Sequence, residues 1–111
     1  MNLNETFQLD GDAMIRSVNP KRGKPYEHSC WLPTYQEVLH VIDEQLGEPF
    51  VYESIVEISD QPHTQVAVAI AFLKERGVIV PARFRQSRAA GKHIYLDGMC
   101  EWTALQKETG Q

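Results

Sequence analysis

The stretch from His63 to Gly77, HTQVAVAIAFLKERG, most limits what this chain can fold into. Basic side chains near the last carbonyls followed by a glycine are a helix ending, and Ala67, Ala69 and Ala71 outweigh the large-small alternation that imitates a buried strand. A helix from His63 to Arg76 is therefore expected. Its core stripe is Val66, Ala69, Ile70, Leu73 and Gly77, with Thr64, Val68, Ala71, Phe72 and Glu75 on or beside the outer face. That outer face has no basic residue and is mostly apolar, so it calls for burial on a second side.

The flanks add a pattern. Ser59-Asp60-Gln61-Pro62 is turn chemistry. Phe50–Ile58 fits both a helical stripe (Val51, Ile55, Ile58) and a strand alternation. Further upstream, Thr34 and Glu37 have capping-box spacing, opening a helix from Pro33 to Leu46. Tyr35, Val38, Leu39, Ile42 and Leu46 make its apolar stripe, and Gly47 and Pro49 close it. Downstream, Val78–Val80 and Lys92–Leu96 are extended runs around a polar, glycine-containing tip, which reads as a hairpin with a long loop. Asp97 is placed to cap a last helix with Met99, Trp102 and Leu105 near one face, fraying after Lys107.

Residues 1–32 show little apolar periodicity and contain the turn-rich NPKRGKP cluster, so they are expected to be an arm or extended cover tethered at points such as Phe7, Leu9, Met14 and Trp31. A chain of 111 residues with 42% hydrophobic and 23% charged residues fits one globular core. The N-terminus lacks a secretory pattern and no run is long enough to span a bilayer, which implies a cytoplasmic protein without membrane contact. Cys30 and Cys100, far apart in such a chain, are expected as reduced thiols.

The order of helix, short helix, turn, long helix ending in LKERG, strand, basic tip and strand resembles winged helix-turn-helix domains. ISDQPHTQVAVAIAFLKERGVIV looks like the helix-turn-helix of MarR- and ArsR-like bacterial regulators, and GKHIYLD resembles a second wing strand. The resemblance implies an α+β fold with a three-helix core, a two- or three-stranded wing, an N-terminal arm (1–32), the winged domain proper (33–107), a C-terminal helix and a flexible tail (108–111). It also implies a transcriptional regulator that binds double-stranded DNA. His63, Thr64, Gln65 and Val68 would face bases, and Arg83, Arg85, Arg88 and Lys92 would meet phosphates. Met99, Trp102 and Leu105 would form a homodimer surface.

The net charge of -4 confines any nucleic-acid affinity to local patches, here the wing cations and Lys21, Arg22 and Lys24. The apolar outer helix face keeps open an alternative, a winged-helix module for protein interaction without DNA. His28, Cys30, His40, His63, His93 and Cys100 make neither a metal-ligand spacing nor a catalytic constellation, so no metal, cofactor or enzymatic activity is expected.

Overall fold

Side-chain alternation turns the first part of the chain into a sheet. The computed structural model describes residues 4–110, beginning with β1 (Asn4–Asp10), β2 (Ala13–Asn19) and β3 (Tyr26–Trp31). In β1, Glu5, Phe7 and Leu9 turn inward while Asn4, Thr6, Gln8 and Asp10 are exposed, the two-residue period of a half-buried strand. Asp10 pairs with Ala13 across Gly11-Asp12, and Gly11 takes the positive φ of 64° that such a short loop demands. Strand order is β1-β2-β3, all antiparallel, with Leu9, Met14 and Cys30 in one cross-strand row. The expected arm is thus a meander over the described residues from Asn4 to Trp31, and NPKRGKP is its exposed β2–β3 loop.

Helix α1 (Leu32–Asp43) follows β3 without a linker. The capping box does not form: Trp31 is the N-cap residue, and Pro33 occupies the first turn. Thr34 lies inside the helix and donates to Gln61 Oε1 at 2.8 Å. Tyr35, Val38, Leu39 and Ile42 are buried as expected, whereas Leu46 lies beyond the helix in a turn, 87% exposed. Phe50–Ile58 resolves into both of its readings. Phe50 exchanges two 2.8 Å backbone hydrogen bonds with Ser87, and α2 (Tyr52–Ser59) begins two residues later. Asp60, left-handed at φ 56°, ends α2, and α3 runs His63–Glu75.

After α3, β4 (Ile79–Pro81) pairs with β5 (Ser87–Ala89). The second hairpin strand is therefore Ser87–Ala89 and not Lys92–Leu96. The HIYL run enters α4 (Ile94–Glu108) because Ile94, Gly98, Trp102 and Leu105, all buried, recur at helical spacing and seat the element on α1. Asp97 lies within the first turn of α4 and does not cap it. Of the expected flexible tail, Glu108 ends the helix and Thr109 donates through Oγ1 to Leu105 O at 2.9 Å; Gln111 lies outside the described residues.

One aromatic row joins the layers. Phe7 of β1 meets Phe72 of α3 edge-on at 5.3 Å, Phe72 meets Tyr35 of α1 at 6.0 Å, and Tyr35 meets Trp102 of α4 at 5.0 Å. The Tyr35 hydroxyl, fully buried, donates to Gly98 O at 2.6 Å. Gly98 is what lets α4 come this close, since a Cβ there would stand 2.4 Å from Leu39 Cδ2. Leu39 is itself fully buried and has no free volume to move into. Gly98→Ala is expected to destabilise the fold by about 1–3 kcal/mol in urea unfolding, even though alanine is the better helix former. A neutral or stabilising result would show that the α1–α4 contact is looser than described.

Candidate nucleic-acid interface

The meander covers the side of α3 that the helix-turn-helix resemblance assigns to DNA. Val68 and Phe72, apolar in sequence and expected outward, are both fully buried, the latter against Phe7. Gln65 is half-buried, and its Oε1 accepts the backbone N–H of Trp31 at 3.0 Å, closing the end of β3 against α3. His63 is exposed but its carbonyl is held by the Tyr52 hydroxyl at 2.6 Å. Thr64 lines a shallow cleft with Ile15, Glu27 and Gln65. What remains open along α3 is a groove over Ala67, Ala71, Lys74 and Glu75, flanked by Arg16 and Glu5, a mixed-charge strip poor in base-reading groups. The four residues expected to face bases are therefore not presented together: two of them bind or pack within the chain.

The wing differs. Arg83, Arg85, Arg88 and Lys92 are all exposed, and no acid lies between Val78 and Lys92 in sequence. The tip is a compact turn in which the Gln86 N–H donates to Arg83 O at 3.0 Å and the Ala82 N–H donates to Gln86 O at 2.9 Å. Phe84 holds the second position of that turn at φ 57° and is 94% exposed. The Arg83 guanidinium lies 5.7 Å from its ring centroid, within cation–π range. Arg85 reaches Glu53 of α2 at 2.9 Å, but both side chains are well exposed and such pairs exchange readily with other partners. Phe84 has no counterpart among the residues expected from sequence, although an aromatic between two arginines at a hairpin tip was there to be seen. Lys21, Arg22 and Lys24 sit in the β2–β3 loop, the length of β3 away from the Trp31–Gln65 contact.

The remaining candidates have structural places. Trp102 and Leu105, expected at a dimer surface, are 3% and 1% exposed and belong to the core, and Met99 is partly buried against it. His40 stacks on Tyr95 at 4.4 Å, and His28 lies against Tyr26 at 4.9 Å. Among the described residues no three His, Cys, Asp or Glu side chains gather as a metal site would require. No described helix is long and apolar enough to cross a membrane. Comparison with protein-family models, curated proteins and solved structures finds no match to the chain.

Cys30 and Cys100 are both free thiols, one buried and one exposed. Burial pushes the Cys30 thiol up from 9.0 to about 12, so it is protonated and unreactive near neutral pH. Burial also raises the Tyr35 hydroxyl. Both groups are acids held neutral by the fold. The Cys30 contribution is intact below 9.0 and is lost as pH rises towards about 12, and that of Tyr35 is lost in turn above its ordinary value of 10.0, because the unfolded chain releases these protons first. In native protein at pH 8, a thiol reagent is expected to modify Cys100 and spare Cys30, with denaturant releasing the second site. Equal labelling of both thiols without denaturant would contradict the burial of Cys30.

Proposed function

We propose that the chain is a winged-helix domain that binds nucleic acid through its wing, with α3 serving as a core helix and not as a reading helix. The observation that carries this reading is the exposed set of Arg83, Arg85 and Arg88 on the β4–β5 hairpin, with Lys92 in the loop after it and Glu53 bonded to Arg85, beside a helix whose side toward the meander is already occupied. The winged-helix assignment draws support from the element order and from the Phe50–Ser87 bridge, by which the segment between α1 and α2 adds a one-residue third strand to the β4–β5 hairpin. Cations on a projecting hairpin neutralise phosphates and release counterions, giving affinity that depends on salt more than on base sequence.

Sequence-specific regulation through α3 is less well supported, because Gln65 is committed to Trp31 and Val68 lies in the core. The interaction-module reading loses its motive for the same reason: the apolar face that called for a partner is satisfied by Phe7 and the rest of the meander.

At about 50 mM salt the full chain is expected to bind mixed-sequence DNA, with log affinity falling against log salt at a slope of roughly -3 to -4 for four phosphate contacts. Changing Arg83, Arg85 and Arg88 together to Ala removes binding, whereas Gln65→Ala leaves affinity within about twofold while lowering stability by about 1 kcal/mol. Glu53→Gln frees Arg85 from its competing carboxylate and strengthens binding severalfold. Absence of binding at micromolar protein, or a Gln65→Ala loss as large as that of the wing variants, overturns the proposal.

A further inference from the structure

We infer that Phe84 is a base-stacking group, and that the preferred ligand is DNA with an unpaired base or open end in place of an uninterrupted duplex. The inference rests on the reading of the wing as a nucleic-acid surface and adds to it which form of DNA the tip takes.

Phe84 contributes little to the fold. Its ring is 94% exposed, and its backbone is left-handed at φ 57° in a turn position that glycine fills without the Cβ penalty. A large apolar side chain is therefore held in water on a strained residue, a combination that points to an outside partner. Its surroundings say which kind. Arg83 stands over the ring and Arg85 follows it, with Gln86, Val51 and Glu53, the carboxylate that Arg85 binds at 2.9 Å, in the same shallow cleft. A protein pocket for phenylalanine is apolar around its rim, whereas this rim carries two guanidiniums against one carboxylate, a net positive charge that fits a ligand with flat faces next to negative charge.

Nucleic acid supplies both, but not everywhere. Inside a duplex each base already has stacked neighbours on both faces, and a minor groove about 6 Å wide admits a guanidinium but gives a ring nothing to lie on. Accessible faces occur at a duplex end, at a junction with single strand, or along a single strand. There Phe84 stacks on the exposed base while Arg83, Arg85 and Arg88 hold the flanking phosphates, an arrangement tolerant of sequence because every base has a π face.

The test compares two DNAs of the same duplex sequence at low salt, one closed at both ends by hairpin loops that stack on the helix and one ending in a single-stranded fork. The expected result is roughly tenfold or more tighter binding to the fork. Phe84→Gly and Phe84→Leu abolish this preference, and Phe84→Trp retains it. Phe84→Gly is also expected to melt no lower than the parent, since it relieves the left-handed residue; this separates loss of stacking from loss of fold. A fluorescent base analogue at the fork should report stacking with the parent and not with Phe84→Leu. Equal, arginine-dependent binding to both DNAs, or a fork preference that survives Phe84→Gly, overturns the stacking role alone. Binding to neither DNA overturns it together with the nucleic-acid reading of the wing.

Discussion

The packing of Phe72 is the constraint on which the rest of the structure depends. Its ring is fully buried where three elements meet: Phe7 approaches from the sheet, Tyr35 from α1, and the Arg76 guanidinium lies 4.9 Å from its centroid. Arg76 in turn binds Glu101 at 2.9 Å and Glu108 at 2.7 Å, so α4 is tied to the same point. A buried phenylalanine of this kind is worth about 3–5 kcal/mol on truncation to Ala, a large share of what a small domain has. The consequence is functional as much as structural. A helix that uses this face for folding cannot also lay it in a major groove, and the proposed nucleic-acid contact therefore rests on the hairpin alone.

Charge follows the same division. The chain is net negative, and several of its acids are engaged by single cations within the fold, as Glu75, Glu101 and Glu108 are by Arg76 and Glu5 is by Arg16. The β4–β5 hairpin has the opposite balance, with Arg83, Arg85 and Arg88 exposed and Glu53 as the acid bonded to it. A projecting element of one sign on a molecule of the other sign favours approach of an anionic ligand to that element alone.

Much of the helical layout is legible in the sequence because its signals are local. The Lys74-to-Gly77 ending and the Tyr35-Val38-Leu39-Ile42 stripe each find their element. The meander is missed by the expectation of an arm, although Phe7-x-Leu9, Asp10-Gly11 and Met14-x-Arg16-x-Val18 carry its signal, because polar Glu5 and Arg16 on the inward face blur the period, and their ion pair is visible only once the strands are paired. The HIYL run misleads for the opposite reason. Its β-propensity is real, yet the packing of Ile94 and Gly98 against α1 overrides it. Asp97-Gly98, a turn signal elsewhere, sits inside a helix because Leu39 leaves room there for no Cβ. At the site, the wing cations could be read from composition, whereas the occupation of Val68 and Gln65 depends on where a distant strand ends.

The central claim is that α3 is a core helix and the wing is the contact surface. Backbone amide chemical-shift mapping of the full chain titrated with forked DNA tests it most directly. The account predicts shifts concentrated between Ala82 and Lys92, with the amides of Gln65 to Phe72 unmoved. Perturbation of the Gln65–Phe72 amides equal to that of the wing, accompanied by loss of the Phe7–Phe72 contact, would contradict it.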